Sequence, residues 1–380
     1  MSSDDAGLSP GPVDLPDGRF GFGWVFPVSA PPVRGGFVTA ERGTVTAVGH
    51  ETVRADRAPL AVLPRTVNLH THLELSCFRE PIGPGLPLER WLLEVLKHRP
   101  QSPREAVCAG EEELRSSGTG AALDVTQPGQ QPSDDRMVVE APEILGLEPA
   151  VARLRLESAL AKRPSALSPH APYSLHPDVR DLAVSAAAER HLLVTTHLAE
   201  SPAERRLLER GDGPFRATLE TLGVWRDDVF GGRTIEDELA AYADAQRLVV
   251  AHGNDLRPDE FRRLARPGAS VAYCPRTHAF FGHGRHPVLE MRAAGVTVGL
   301  GTDSRASNPD LSVWNEARFL RRHRPDIPPG MVIEMATREG ATALGFDDRL
   351  GTIEPGKSAS LLVLPLARPD ATDPYEALFG

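Results

Sequence analysis

The chain has 380 residues, enough for one large domain and a small one, and its 41% hydrophobic and 25% charged shares are those of a globular protein with a core of its own. A formal net charge of -10, with arginines scattered and no basic run, argues against a surface built for nucleic acid or anionic lipid. Three cysteines, Cys77, Cys108 and Cys274, are too few and too far apart for a disulfide framework or a cysteine zinc site, so any metal must fall to histidine and carboxylate.

Residues 1–20 are rich in Gly, Pro, Ser and Asp and read as a loose tail. The opening lacks a basic segment followed by an apolar one, and no apolar run approaches about 18 residues, so the expected location is cytoplasmic. Gly35–Ala40 and Thr44–Gly49 flank Glu41-Arg42-Gly43 and read as a hairpin. Near the far end, Gly351–Leu364 reads as a turn and a buried strand. Neither end buries much alone. Residues 21–63 and 345–380 are therefore expected to form one small β-sandwich domain together, leaving 64–344 for the large domain.

Between these ends, strands and helices alternate. Leu88–Leu96 has helical apolar spacing and a second helix is expected over Pro103–Ser116. Strand-like runs occur at Val67–Glu74, Ala121–Val125, Glu143–Leu147, Ala166–His170, Leu192–His197, Leu248–His252, Ala269–Cys274 and Val296–Leu300. Helical segments such as Val179–Glu189 and Asp259–Ala265 separate most of them. Eight strands alternating with helices predict an α/β fold of the (β/α)8 TIM-barrel class. A doubly wound sheet would want a glycine-rich phosphate loop after its first strand, where His70-Thr71-His72 stands instead.

Such a barrel builds its active site at the C-terminal ends of its strands. Five of the thirteen histidines fall there, His70, His72, His170, His197 and His252, and Asp303 follows the eighth strand. His70 and His72 lie at i and i+2, which sends both side chains to the same side of an extended strand. Each histidine alone could be a hydrogen-bonded interior group. Together with a carboxylate they match what a catalytic metal site needs, a few N and O ligands with a position left for water.

The motifs His70-Thr-His-Leu-Glu74, Ser168-Pro-His-Ala-Pro-Tyr173, Thr196-His-Leu-Ala-Glu200, Val250-Ala-His-Gly253, Tyr273-Cys-Pro-Arg276 and Gly301-Thr-Asp-Ser304 resemble, in that order, those of the amidohydrolase superfamily. The resemblance covers nearly the whole chain. It is strongest to the branch holding cytosine, guanine, adenosylhomocysteine and aminofutalosine deaminases with the triazine hydrolases. It implies that His70, His72, His197 and Asp303 hold one divalent metal ion, zinc or alternatively ferrous iron. It also implies that Glu200 shuttles a proton and that His252 and Asp303 orient the reacting water. Other branches carry two metals and a carboxylated lysine at the end of the fourth strand. Lys97, Lys162 and Lys357 do not fall there, and Ser168-Pro169-His170 does, which frees His170 to contact substrate.

The implied activity is hydrolysis of a C–N bond other than a peptide bond. The leading expectation is deamination of an aromatic N-heterocycle, a purine nucleoside derivative such as aminodeoxyfutalosine. Cleavage of an N-acyl or cyclic amide is the alternative, and a binding barrel without catalysis is a third reading. Substrate contacts are expected from His170, Arg276, His278, Trp225 and Ser304. The sequence departs from the nearest deaminases at Cys274-Pro-Arg-Thr-His278, where Cys-Pro-x-Ser-Asn is usual, and at Pro81-Ile-Gly-Pro-Gly85, where an acidic residue for ribose is often found. About fifty residues separate the fifth and sixth strands, far more than a βα loop of 2–6 residues and one helix require. That insertion, with Phe215 and Trp225 on it, is expected to be a lid over an extended substrate. The expected partners are a small-molecule substrate and a second copy in a homodimer, with neither nucleic acid nor membrane.

Overall fold

The computed structural model describes residues 9–50, 59–99, 103–128, 130, 133, 135 and 137–380. Eight parallel strands form one sheet in which every strand lies beside its neighbour in sequence. They are β1 Thr66–Thr71, β2 Thr119–Thr126, β3 Val138–Ile144, β4 Ala166–Pro169, β5 Leu193–Leu198, β6 Arg247–His252, β7 Ala269–Tyr273 and β8 Thr297–Leu300. Most are buried along nearly their whole length, as parallel strands covered on both faces must be. The sheet curls until its first and last strands meet at their C-terminal ends. There Thr71 bridges Asp303 in parallel, and the backbone N–H groups of Thr302 and Asp303 donate to the His70 carbonyl at 3.1 and 2.9 Å. This is the predicted (β/α)8 barrel.

The third strand departs from expectation. It covers Val138–Ile144, whereas the apolar run Glu143–Leu147 had suggested a later one. Glu140, Pro142 and Glu143 disguise its pattern. The chain leaves the ladder after Ile144 because Gly146 adopts φ +134 and its N–H donates to the Ser174 carbonyl at 2.8 Å.

Two compact units emerge from the contacts: Leu69–Glu111 with Ala122–Leu311, and Met1–Asn68 with Glu112–Ala121 and Ser312–Gly380. In the second unit, Gly11–Asp14, Ser360–Pro365, Leu60–Pro64, Trp24–Val25 and Val33–Arg34 form a five-stranded sheet. Gly18–Gly21, Gly36–Glu41 and Thr44–His50 form a three-stranded one. Val25, Val62 and Val363 of the first sheet share a core with Val38 and Val45 of the second, so both chain ends contribute to one small β structure. The stretch expected to be a loose tail holds two of these strands, Gly11–Asp14 and Gly18–Gly21, while residues 1–8 lie outside the described ones. Its turn-rich composition hid them. Gly11–Asp14 is an edge strand, where Pro12 is tolerated because one side of the strand needs no ladder partner. The helices Val313–His323, Pro329–Ala336 and Arg338–Leu344 belong to this unit by their contacts. Among the described residues, no helix is long and apolar enough to cross a membrane.

Gly301 sits where β8 turns toward Asp303. A Cβ there would lie 2.9 Å from both the backbone nitrogen and the Cβ of His70 and 3.1 Å from Cys274 Sγ. Relief would have to come from the backbone of the first strand. Gly301→Ala is expected to destabilise the protein by about 1–3 kcal/mol, the usual cost of overpacking a filled interior. Urea unfolding followed by circular dichroism measures it.

Candidate active site

The strand ends bring five histidines and two carboxyls into one buried cluster. His70 is the penultimate residue of β1 and His72 follows its last, so their alternation in an extended chain turns both rings inward. His197 is the penultimate residue of β5 and His252 closes β6. The backbone turns sharply at these points: Ala199, His252 and Asp303 adopt left-handed φ values of 53, 70 and 59°. Such conformations are costly for residues with a Cβ and persist where surrounding bonds enforce them.

The donor atoms lie as close as ligands of one ion. His72 Nε2 is 3.2 Å from His197 Nε2, and Asp303 Oδ1 is 3.8 Å from His70 Nε2 and 3.7 Å from His72 Nε2. Atoms bound tetrahedrally at zinc–nitrogen distances stand roughly 3.3 Å apart. His70, His72 and Asp303 form one group able to hold a metal, and His70, His197 and His252 form another. The two share His70 and overlap in one place, which fits a single divalent ion.

Protonation suits the same role. Burial holds His70, His72 and His252 well below the ordinary histidine range, and it lowers His197 and His170 to about 3. The imidazoles are neutral and have lone pairs to offer. The His197 Nδ1–H donates to the His170 carbonyl at 3.1 Å, which fixes the tautomer and leaves Nε2 facing the cluster. Asp303 is aimed in the same way: Ser307 Oγ donates to its Oδ2 at 2.9 Å, and Thr277 Oγ1 lies 3.0 Å from the Ser307 hydroxyl.

Glu200, just beyond β5, places Oε1 3.6 Å from His252 Nε2. Burial raises its pKa well above the carboxylate range, and the charges of Asp303 and Glu204 add to the effect. A carboxyl tuned upward in this way exchanges protons more readily near neutral pH. His170 sits 4.6 Å, ring to ring, from His197, with Nδ1 2.6 Å from Ser174 Oγ and Nε2 3.5 Å from Glu143 Oε1.

A cavity of about 290 Å³ opens over this cluster. His170, Glu200, His252, Asp303 and Ser304 line its polar end. The rest is mostly apolar, with Trp91 and Val95 from the helix Leu88–His98 and Phe215 and Leu219 from the helix Pro214–Thr221. Phe215, on the long insertion, is fully buried and stacks on Tyr173 at 4.7 Å.

Of the residues expected to meet substrate, His170 and Ser304 line the cavity and Arg276, His278 and Trp225 do not. The Arg276 guanidinium is paired with Asp310 at 2.7 Å. His278 is held by Asn254 Oδ1 at 3.0 Å and the Gly284 carbonyl at 2.5 Å. Trp225 stacks on Phe230 at 5.0 Å, gives its indole N–H to Asp227, and lies beneath Arg216. Its surroundings brace the insertion, while Phe215, Leu219, Leu222 and Val224 supply the insertion's contact with the cavity. Residue type alone does not distinguish an aromatic that braces a loop from one that faces a ligand.

Sequence reasoning assigned no role to Glu74, Arg99, Glu143 or Ser307. Arg99 reaches Glu74 at 3.0 Å and approaches Glu143 at 3.8 Å, and both Arg99 and Glu143 line the cavity. The available signal was positional: Glu143 lies at the C-terminal end of β3, and Ser307 lies four residues beyond Asp303.

An eight-stranded barrel with three histidines and an aspartate converging at its strand ends, and an acid beside them, defines a metal-dependent hydrolase. The chain belongs to the amidohydrolase family, whose model matches residues 61–380. It is 31% identical over 354 residues to a 5-methylthioadenosine/S-adenosylhomocysteine deaminase of Desulforudis audaxviator, covering 83% of this chain and 75% of that protein. It is 29% identical over 337 residues to an aminodeoxyfutalosine deaminase of Deinococcus radiodurans, covering 80% and 79%. In three dimensions it resembles the aminofutalosine deaminase of Helicobacter pylori solved with methylthio-coformycin, with a TM-score of 0.76, 20% identity and 94% of each chain covered.

Removing the hydroxyl that aims Asp303 tests the ligand set without reference to activity. Ser307→Ala is expected to weaken metal binding about 10- to 100-fold, the usual effect of losing a partner behind a ligand. Competition against a chromogenic chelator reads the affinity. Elemental analysis of the parent protein is expected to give one divalent ion per chain.

Proposed function

We propose that the protein is a zinc-dependent hydrolytic deaminase of a purine nucleoside derivative. The observation that carries this reading is the placement of Glu200 beside His252, at the polar end of the cavity that also receives the metal donors. His70, His72, His197 and Asp303 would hold the ion. When bound, the ion makes water a usable nucleophile near neutral pH.

Glu200 accepts a proton from the attacking water and delivers it to a ring nitrogen, so that oxygen adds across a C=N bond of the heterocycle. A second proton reaches the amino group, ammonia leaves, and a carbonyl remains. His252, neutral and adjacent to Glu200, holds the oxygen in line. Asp303, whose second carboxylate oxygen is anchored by Ser307, keeps its first facing the histidines. The apolar helices exclude water from the flat ring and give its substituents a surface to cover. The names of the two sequence relatives support an adenosine-derived substrate.

Purified protein supplied with 5′-deoxy-5′-methylthioadenosine, S-adenosylhomocysteine, adenosine and aminodeoxyfutalosine is expected to release ammonia from at least one. A coupled ammonia assay and the ultraviolet shift of adenine to hypoxanthine measure it. Liberation of a carboxylic acid and an amine from simple N-acyl amines, with no ammonia from any of the nucleosides, would replace this reading with amide hydrolysis. Glu200→Gln is expected to keep its metal and lose roughly two to four orders of magnitude in kcat. Steady-state kinetics with metal analysis tests both halves of that expectation.

A further inference from the structure

Glu204 is fully buried four residues after Glu200, and the mechanism above does not use it. The sequence Ser201-Pro-Ala-Glu204 has the form of a capping box, in which the fourth residue's carboxylate returns to the backbone N–H of the first. Half of that device is present: Ser201 Oγ accepts the Glu204 N–H at 3.3 Å and starts the helix Pro202–Arg210. The carboxylate, however, reaches past Ser201. Its Oε1 accepts the Ala199 N–H at 3.1 Å and its Oε2 accepts the Glu200 N–H at 2.7 Å.

Those two amides belong to the turn that carries Glu200 out of β5, and Ala199 there is left-handed. The same turn is held from the opposite side. The Asp255 N–H donates to the Ala199 carbonyl at 2.8 Å, and Asn254 Nδ2 donates to the Glu200 carbonyl at 3.0 Å. Both residues thereby have their backbone N–H and C=O held. The two N–H bonds come from one rigid carboxylate, which a neutral amide cannot reproduce because it offers a single acceptor oxygen.

We propose that Glu204 is the positioning residue for the Glu200 proton carrier: its carboxylate brackets the Ala199 and Glu200 amides and so fixes where the Glu200 side chain leaves the backbone. The inference rests on the assignment of Glu200 as the acid–base group of the proposed reaction. Glu204 is bonded to none of the metal donors and does not itself line the cavity, so its effect on turnover passes through Glu200. A displacement of about 1 Å at a catalytic group costs up to roughly 100-fold in rate.

The test is a double-mutant cycle of Glu204→Gln and Glu200→Gln in the full chain, with kcat, KM and metal content measured for each protein. Glu204→Gln alone is expected to lower kcat roughly 10- to 100-fold, leaving KM and metal content near the parent values. In the Glu200→Gln background the same change is expected to cost under about 3-fold, because the group it positions is already disabled. Equal losses in both backgrounds, or a loss confined to KM or metal content, would overturn the proposal.

Amide hydrogen exchange at Ala199 and Glu200, read without substrate, separates this proposal from the reading beneath it. Exchange at these two sites is expected to accelerate in Glu204→Gln, and unchanged exchange overturns the bracket whatever the activity. A parent protein that deaminates nothing overturns the functional reading while the exchange result still decides the bracket. If Glu204→Gln fails to fold, Glu204→Asp, which keeps both carboxyl oxygens on a shorter arm, carries the same measurements.

Discussion

Uncharged imidazoles packed around one carboxylate, all within reach of a single ion, are the arrangement on which the rest of this molecule depends. Burial makes protonation of these histidines unfavourable, so a bound cation can have them as ligands without first displacing protons. The same closeness strains the chain. Three residues at the strand ends, Ala199, His252 and Asp303, take left-handed backbone conformations that cost of order 1–3 kcal/mol each. Each is enforced by bonds from outside its own strand. The Asp303 N–H is fixed to the His70 carbonyl, Ala199 by Glu204 and Asp255, and the His252 carbonyl accepts from His286 Nε2 at 3.0 Å.

The barrel and the cavity above it divide the work. Strand ends supply the polar groups, whose positions are shared by a closed hydrogen-bonded sheet and hence vary little. Helices following the strands supply apolar walls. Leu96, Leu222 and Val224 line the cavity yet remain 49, 40 and 45% exposed, so the hydrophobic lining extends into its mouth. A bound molecule that covered them would remove apolar surface from water that the free protein leaves wet.

Much of this could be read from the residues. Eight strands were legible because buried parallel strands are short apolar runs, and the histidines were legible because they close those runs. The third strand was misplaced because Pro142 and two glutamates interrupt its pattern. The strands at Gly11–Asp14 and Gly18–Gly21 were missed because edge strands tolerate the proline and glycine that elsewhere mark a tail. At the site, groups fixed by strand periodicity come together at the strand ends. Arg276, His278 and Trp225 lie on connecting segments, where direction depends on partners such as Asp310, Asn254 and Phe230. Glu204 shows the converse difficulty, since its local motif is read easily as a helix cap and its carboxylate bonds elsewhere.

The bridge between Thr71 and Asp303 joins residues 232 positions apart. A chain emerging from the ribosome presents His70 and His72 early, His197 and His252 later, and the carboxylate last of all. Until then the first strand has no eighth strand to pair with, and the nascent protein holds a partial, neutral donor set with an open sheet edge beside it. Ring closure and completion of the donor set are therefore one event in the life of the polypeptide, and loop-closure entropy makes it a late one.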